Sequence, residues 1–397
     1  MATKKSETTT KKYAKIGSLT QEDKKWAEAA IASGDEPMEY IETGNVGLDL
    51  ALSDGLGLPM GASVLFWARP GCGKTTVVAD ACKRLIQKYK GKGETFKVLY
   101  IAIEDCIELM RSLGLGPYIN SKDFLYARGG DLCWRQIEKL YQNVLNGEGS
   151  YAGVKLIVID SINSVQSDQN QKNSVADGDF GTRSRERNNF YIKYLGLCKE
   201  RGISSFFISQ VRKKQNASQF EDQNRAAVSD SDMHYVDIIF KCTASTNSTD
   251  ASRIEVDTVF GKEKKASKSI FKVSSIAPDC KNRFFTGNAT EFLFEKGRCV
   301  WNYYTVCKLL EGNKLVKNTG GWWSFDPELC EKLNLPDTKM RKGELNKLIQ
   351  ENVGPLVGII KEMGKYRVEL NQTEVPVSED EIGEDYEEEN EEIIEEE

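Results

Sequence analysis

Histidine is almost absent from this sequence of 397 residues, and long apolar runs are absent as well. His234 is the one histidine, so neither a His-rich zinc site nor a Ser-His-Asp triad is expected. No apolar run approaches the roughly 20 residues that a membrane-spanning helix requires. Residues 1–18 are basic and lack the apolar stretch of a secretory signal. The ten cysteines have no paired spacing, which is typical of reduced thiols, and we therefore expect a cytoplasmic protein with no membrane partner.

Negative charge is concentrated at one end of the chain. Residues 379–397 contain thirteen acidic residues and no basic one. Because the whole chain has 54 Lys and Arg against 60 Asp and Glu, the first 378 residues carry a net charge of +7. A mildly basic body suits a polyanionic partner, and an acidic tail can compete with such a partner for the same surface.

Short apolar runs alternate with helical patterns through the middle of the chain. The runs are Ser63–Ala68, Lys97–Ile103, Lys155–Asp160 and Ile203–Ser209. Continuous apolar strands separated by amphipathic helices are typical of an α/β fold with a largely parallel sheet that helices cover on both faces. Three more strand patterns follow without long helices between them, which favours an antiparallel continuation of the sheet: Tyr235–Cys242, Arg253–Phe260 and Ser269–Ile276.

Composition divides the chain into four regions. We expect a basic arm and helix over residues 1–40, the main core over 41–287, a small α/β domain over 288–370 and a disordered acidic tail over 371–397. The N-terminal helix is predicted from Leu19 to Ala32. The small domain is predicted to contain a helix near Trp301–Leu310, a hairpin through Lys314–Phe325 and a helix from Lys342 to Met363.

The segment Ala68–Thr75 carries the sharpest motif. It reads ARPGCGKT, close to the P-loop pattern GxxxxGK followed by Ser or Thr, and it lies between an apolar strand and a helical segment. Small residues let backbone N–H groups point at phosphate oxygens, and a helix N-terminus favours anions. Lys74 would reach the β- and γ-phosphates of ATP, and Thr75 would bind Mg²⁺. The predicted ATP-binding residues are Arg69, Pro70, Gly71, Cys72, Gly73, Lys74, Thr75 and Thr76.

Polar residues follow the other three apolar runs. Asp160 ends its run as a second candidate Mg²⁺ ligand, although an ordinary strand-end Asp fits the pattern too. Glu104 lies where a water-activating base belongs in a nucleotide hydrolase, and a surface acid is the alternative. Gln210 either contacts the γ-phosphate or is a plain loop residue.

Two polar segments, Gln166–Arg187 and Arg212–Asp232, leave the carboxyl ends of predicted strands. They are too long to be simple connections. Loops with Arg, Lys and Gln side chains and an aromatic residue suit single-stranded DNA, although solvated loops have a similar composition. The candidate DNA-binding residues are Arg183, Arg185, Arg187, Arg212, Lys213, Lys214, Phe220 and Arg225.

The order of these motifs resembles the RecA-type recombinases, and within them the UvsX-like phage recombinases. The resemblance covers about residues 40–365 and includes TGNVGLDLAL at Thr43–Leu52 and the hairpin segment Leu315–Phe325. It implies a RecA-type P-loop ATPase core. It also implies that Lys281 and Arg283 reach the ATP of a neighbouring subunit. The catalytic set that the resemblance implies is Glu104, Lys74, Gln210, Lys281 and Arg283.

The resemblance implies a DNA-dependent ATPase that forms a helical filament on single-stranded DNA and exchanges strands with homologous double-stranded DNA. ATP and Mg²⁺ are the implied cofactors, with Thr75 and Asp160 as the Mg²⁺ ligands. The basic N-terminal region would dock on a neighbouring subunit, and a single-stranded-DNA-binding protein and a loader would be further partners. If the chain is phage-encoded, its compartment is the host cytoplasm.

Two alternatives fit the same motifs. One is a ring-forming ATPase, either helicase-like or regulatory, which would share the P-loop, Glu104 and Asp160. The other is a mediator paralogue that binds DNA but hydrolyses ATP weakly. It is suggested by Ala68 in place of the first P-loop glycine and by Ser229–Asp232 in place of paired glycines.

Overall fold

A computed structural model describes residues 39–53, 55–168, 182–213, 224–227, 230–244, 270–280, 290–295, 299–359 and 362. From Tyr40 onward these residues belong to one compact unit. The predicted helix at Leu19–Ala32, the predicted strand at Arg253–Phe260 and the acidic tail lie outside the described residues.

The strands and helices are numbered separately in chain order. The strands are β1 (Tyr40–Ile41), β2 (Leu58–Pro59), β3 (Ser63–Trp67), β4 (Lys97–Ala102), β5 (Phe124–Arg128), β6 (Val154–Asp160), β7 (Ser204–Ser209), β8 (Val211–Lys213), β9 (Asn224–Ala226), β10 (Ile238–Ala244), β11 (Ile270–Cys280), β12 (Thr290–Glu295), β13 (Cys299–Trp301), β14 (Val316–Thr319) and β15 (Trp322–Phe325). The α-helices are α1 (Val46–Ser53), α2 (Lys74–Gly91), α3 (Ile107–Ser112), α4 (Trp134–Asn146), α5 (Thr182–Glu200), α6 (Asp230–Tyr235), α7 (Asn302–Gly312), α8 (Pro327–Leu333) and α9 (Lys342–Glu351).

Nine of the strands form one sheet in the order β13, β12, β11, β10, β3, β7, β6, β4, β5. The six strands from β10 to β5 are parallel to one another, and β11, β12 and β13 continue the sheet antiparallel beyond β10. This topology confirms the predicted α/β class with a largely parallel sheet.

Burial on both faces of the sheet explains the continuous apolar runs. In β6, Leu156 and Val158 enter the core that includes α2, whereas Ile157 and Ile159 enter the core that includes α4 and α5. Since successive side chains of a strand point to opposite faces, a strand covered on both sides needs apolar residues at every position.

The observed sheet differs from the predicted one in two places. Strand β5 was not predicted, because it is a short edge strand that ends in the exposed Arg128 and has no long apolar run. The pattern at Tyr235–Cys242 was expected to begin the antiparallel part, but β10 is parallel to β3. The reason is α6, which carries the chain back so that the Asp237 N–H donates to the Ser63 carbonyl oxygen at the start of β3.

The C-terminal segment has its own apolar core, formed by α7, the β14–β15 hairpin, α8 and α9. Val46 and Leu50 of α1 also belong to this core. The helix predicted from Lys342 to Met363 is interrupted at Asn352, and residues 353–359 are helical again. Among the helices described, none combines the length and the apolar character that crossing a membrane requires.

Candidate functional site

The P-loop connects β3 to the amino terminus of α2. Gly71 and Gly73 have φ angles of 80° and 81°, a left-handed conformation that glycine adopts without strain. Gly73 is the N-cap residue of α2, and the first N–H groups of an α-helix have no partner within the helix. Ala68 is not among the described non-glycine residues with a positive φ, and its methyl group is buried. The replacement of the first P-loop glycine therefore leaves the backbone unstrained.

Lys74, the first residue of α2, is buried, with 9% of its surface exposed. Its ammonium group donates to the carbonyl oxygens of Ala68 at 3.0 Å and of Arg69 at 3.2 Å. Burial lowers the pKa of Lys74, while the nearby carboxylates of Asp160 and Glu104 raise it. A buried cation beside a helix N-terminus is suited to an anionic ligand such as a triphosphate.

The other predicted ATP-binding residues lie around this lysine in the same loop and the first turn of α2. Arg69, Pro70 and Gly71 are exposed, Gly73 and Thr75 are half-buried, and Cys72 and Thr76 are buried. These eight residues form one continuous segment of the chain. Their binding of ATP stays a prediction.

Asp160, at the end of β6, lies beside the P-loop and is buried. Thr75 Oγ1 donates to Asp160 Oδ2 at 2.9 Å, and the hydroxyl of Tyr100 donates to the same oxygen at 2.8 Å. Burial raises the pKa of Asp160, and these two hydrogen bonds lower it. Tyr100 has no sequence signal as a site residue, because it reads as one more apolar residue of β4.

The oxygen atoms near the P-loop fit a magnesium ion. Asp160 and Thr75 offer a carboxylate and a hydroxyl, and Mg²⁺ is usually held by one or two carboxylates together with water and phosphate oxygens. In the described part of the chain, no group of three or more His, Cys, Asp or Glu side chains could hold a metal by itself. Most ligands of a metal at this position would therefore come from a nucleotide and from water.

Glu104 follows β4 and receives three hydrogen bonds on a single oxygen. Ser161 Oγ, Ser164 Oγ and Gln210 Nε2 each donate to Glu104 Oε1 at 2.8 Å. None of these three bonds ends on Oε2. Ser164, which the sequence did not point to, lies in a short 3-10 turn directly after β6. The three bonds fix the carboxylate while leaving its second oxygen available to another donor.

Asn163, in the same turn, joins the end of β6 to the residue just before β8 and the residue just after β9. Its Oδ1 accepts from Ser209 Oγ at 2.8 Å and from the Gln210 N–H at 3.0 Å. Its Nδ2 donates to the Ala227 carbonyl oxygen at 2.8 Å. These two flanking residues also contact each other, since the Ala227 N–H donates to the Gln210 carbonyl oxygen at 2.8 Å. Asn163 had no sequence signal, because all its partners are distant in the chain.

Beyond Gln210, the second candidate DNA loop begins as a two-stranded ribbon. Strands β8 and β9 are antiparallel, with Arg212 opposite Arg225 and Lys213 opposite Asn224. The backbone of these candidate residues therefore leaves the sheet edge close to Glu104 and Gln210. Lys214 and Phe220 lie outside the described residues, as do Lys281 and Arg283.

The first candidate DNA loop is described only at its two ends. Arg183 and Arg185, in the first turn of α5, are exposed, and Arg183 Nη2 donates to Gln166 Oε1 at 3.2 Å. Arg187 is buried, with 6% of its surface exposed. Of the three arginines predicted to contact DNA in this segment, two face solvent and the third lies inside the protein.

Comparison with known proteins agrees with this arrangement. The family model of the RecA N-terminal domain matches residues 15–255, more than half of the chain. The chain belongs to the RecA family. Proteins named RecA from Mycoplasma genitalium, Nitratiruptor sp. and Laribacter hongkongensis are 26%, 27% and 27% identical to it over 183, 200 and 211 residues. These matches cover 46%, 49% and 52% of this chain and 49%, 54% and 55% of the respective relatives. The chain thus spans about half the length of the curated relatives it matches, and its six parallel strands are those of the RecA-type core.

Proposed function

We propose that this RecA-family chain is an ATP-dependent recombinase of the UvsX-like kind. It forms a helical filament on single-stranded DNA and exchanges that strand with a homologous duplex. The observation that carries the proposal is the hydrogen bond from Gln210 to Glu104, at 2.8 Å. It connects the predicted catalytic carboxylate to the β8–β9 ribbon of the second candidate DNA loop, because Gln210 directly precedes β8. Family membership supports the same function.

In the proposed reaction the chain's own residues bind ATP, position water and transmit the DNA signal. Lys74 binds the β- and γ-phosphates, while Thr75 and Asp160 hold Mg²⁺, whose chemistry is to neutralise phosphate charge. Glu104 accepts a proton from the attacking water through its Oε2, the oxygen that the three hydrogen bonds leave unused. Lys281 and Arg283 of a neighbouring subunit act on the same ATP in the way of an arginine finger.

The DNA-facing part of the proposal rests on the two loops. Arg183 and Arg185 of the first loop, with the basic residues of β8 and β9, contact the phosphate backbone of single-stranded DNA. Because base pairing with the incoming duplex supplies sequence specificity, these side chains need no base-specific contacts. Binding should therefore weaken steeply as the salt concentration rises.

Electron microscopy tests the proposed assembly. The full chain is mixed with single-stranded DNA and a non-hydrolysable ATP analogue, and a parallel sample receives ADP. Long helical filaments that depend on the ATP analogue are expected. Closed rings would contradict the proposal and favour a helicase-like or regulatory ATPase, whereas isolated subunits on DNA would favour a mediator.

Replacing Asn163 with Ala is expected to uncouple DNA from ATP hydrolysis. The change removes the side chain that holds Gln210 and Ala227 against the turn containing Ser164. Because Ser164 donates to Glu104, the β8–β9 ribbon then loses one of its connections to the Glu104 carboxylate. Coupling free energies between sites usually correspond to factors of about 5 to 150. We expect stimulation of the ATPase by single-stranded DNA to fall by at least about fivefold while DNA-free hydrolysis changes little.

Two further variants make this experiment specific. Asn163→Asp keeps the acceptor for the Gln210 N–H but loses the donor to the Ala227 carbonyl, so it tests the contact with Ala227 separately from the contact with Gln210. Asn313→Ala is the matched control, because that half-buried amide donates to the Leu309 carbonyl oxygen within α7 and its following turn. Equal DNA stimulation in wild type and Asn163→Ala would show that the tie does not transmit the signal.

A further inference from the structure

Tyr100 is a fully buried residue of β4 whose hydroxyl reaches the end of the neighbouring strand. In the parallel β4–β6 pair, Ala102 lies opposite Asp160 and Tyr100 lies opposite Val158. Side chains two residues apart in a strand point to the same face, so Tyr100 and Asp160 share the face covered by α2. A tyrosine is long enough to bridge this diagonal, and its hydroxyl lies 2.8 Å from Asp160 Oδ2.

The ring of Tyr100 is held in place by aromatic neighbours. Tyr126 lies opposite it on β5, with ring centroids 6.0 Å apart and ring planes inclined by 19°. Phe124 packs at the same centroid distance. Because the ring is fully buried and fixed between strands, its hydroxyl is a donor with a set position rather than a mobile one.

Asp160 therefore receives two hydroxyl donors on one oxygen, from two different elements of the fold. Thr75 donates from the P-loop helix at 2.9 Å and Tyr100 donates from β4 at 2.8 Å, both to Oδ2. Neither bond ends on Oδ1. Two donors on one carboxylate oxygen fix the rotation of the carboxylate group about its own axis, which determines how its oxygens face the P-loop.

We propose that Tyr100 is a positioning residue that orients Asp160 for the magnesium ion of a bound nucleotide. This inference rests on the proposed nucleotide site. Groups that orient a metal ligand without touching the metal are typically worth about 10- to 100-fold in metal affinity. Loss of the Tyr100 hydroxyl alone should therefore weaken the contribution of Mg²⁺ to nucleotide binding without disturbing the P-loop itself.

The test measures how much Mg²⁺ improves the affinity of the full chain for a fluorescent ATP analogue. The dissociation constant is determined in EDTA and in saturating Mg²⁺, without DNA, for wild type, Tyr100→Phe and Tyr141→Phe. Tyr141 is the matched control: it is equally buried, it lies in the core on the opposite face of the sheet, and its hydroxyl donates to Ser205 Oγ at 3.2 Å. Urea unfolding of the three proteins compares the purely structural effect of losing a hydroxyl.

We expect Tyr100→Phe to keep the wild-type dissociation constant in EDTA. The factor by which Mg²⁺ lowers that dissociation constant should be about tenfold smaller than in the wild type. Tyr141→Phe should match wild type in both conditions. Equal gains in wild type and Tyr100→Phe would overturn the inference, as would an equal loss of affinity in EDTA and in Mg²⁺, which indicates general disruption. A wild-type chain whose affinity is the same with and without Mg²⁺ would instead contradict the proposed function.

Discussion

Glu104→Gln is expected to bind ATP and DNA as the wild type does and to lose about 10²- to 10⁴-fold in the rate of ATP hydrolysis. The three donors around Glu104 explain why the variant should be so selective. Ser161, Ser164 and Gln210 all donate to Oε1, so an amide at this position would keep its oxygen there. Its nitrogen would then take the place of Oε2, and an amide nitrogen cannot accept a proton from water.

The measurement is DNA-stimulated ATP turnover together with direct binding of ATP and of single-stranded DNA. Glu108→Gln is the matched control, because Glu108 is exposed near Glu104 in sequence and pairs only with its helix neighbour Arg111 among the ion pairs described. We expect the control to retain wild-type turnover. If Glu104→Gln hydrolyses ATP within a few-fold of wild type, the carboxylate is a structural acceptor for its two serines and not the base.

The convergence of Glu104, Asp160 and Gln210 was accessible from the sequence for a physical reason. Each lies at or just after the carboxyl end of a strand that is buried on both faces, and such strands read as continuous apolar runs. The carboxyl ends of neighbouring parallel strands lie at one edge of the sheet, so residues far apart in the chain meet there. The order of the strands, which places β7 between β3 and β6, was not accessible, because it depends on the path of the connections.

The residues that support this edge could not be read from the sequence. Tyr100 looks like core because its ring is core, and only the paired register of β4 and β6 shows where its hydroxyl ends. Asn163 contacts positions 47 and 64 residues away, and no local pattern predicts such partners. Strand β5 was not predicted because it lies at the edge of the sheet. An edge strand has one neighbour and tolerates polar residues, so it lacks a continuous apolar run.

Lys74→Ala is expected to have the largest effect on nucleotide binding. The Lys74 ammonium group is buried at the start of α2, where its described partners are two P-loop carbonyl oxygens. Burial lowers its pKa, which means that the protonated form is poorly solvated in the absence of an anion. A triphosphate would supply that anion together with hydrogen-bond acceptors of full charge.

A hydrogen bond to a charged group contributes about 1.5–3 kcal/mol, so losing this one should weaken ATP binding by about 10- to 150-fold and abolish hydrolysis at ordinary ATP concentrations. Equilibrium binding of a fluorescent ATP analogue measures the loss. Lys83→Ala is the matched control, because Lys83 lies on the same helix and its ammonium group donates to the Leu113 carbonyl oxygen at 2.9 Å, away from the P-loop. It should bind ATP as the wild type does. Since both variants remove a lysine that donates to backbone carbonyls, a general loss of stability would affect them alike, whereas a phosphate contact affects Lys74→Ala alone. A dissociation constant for Lys74→Ala within threefold of wild type would remove Lys74 from the nucleotide site.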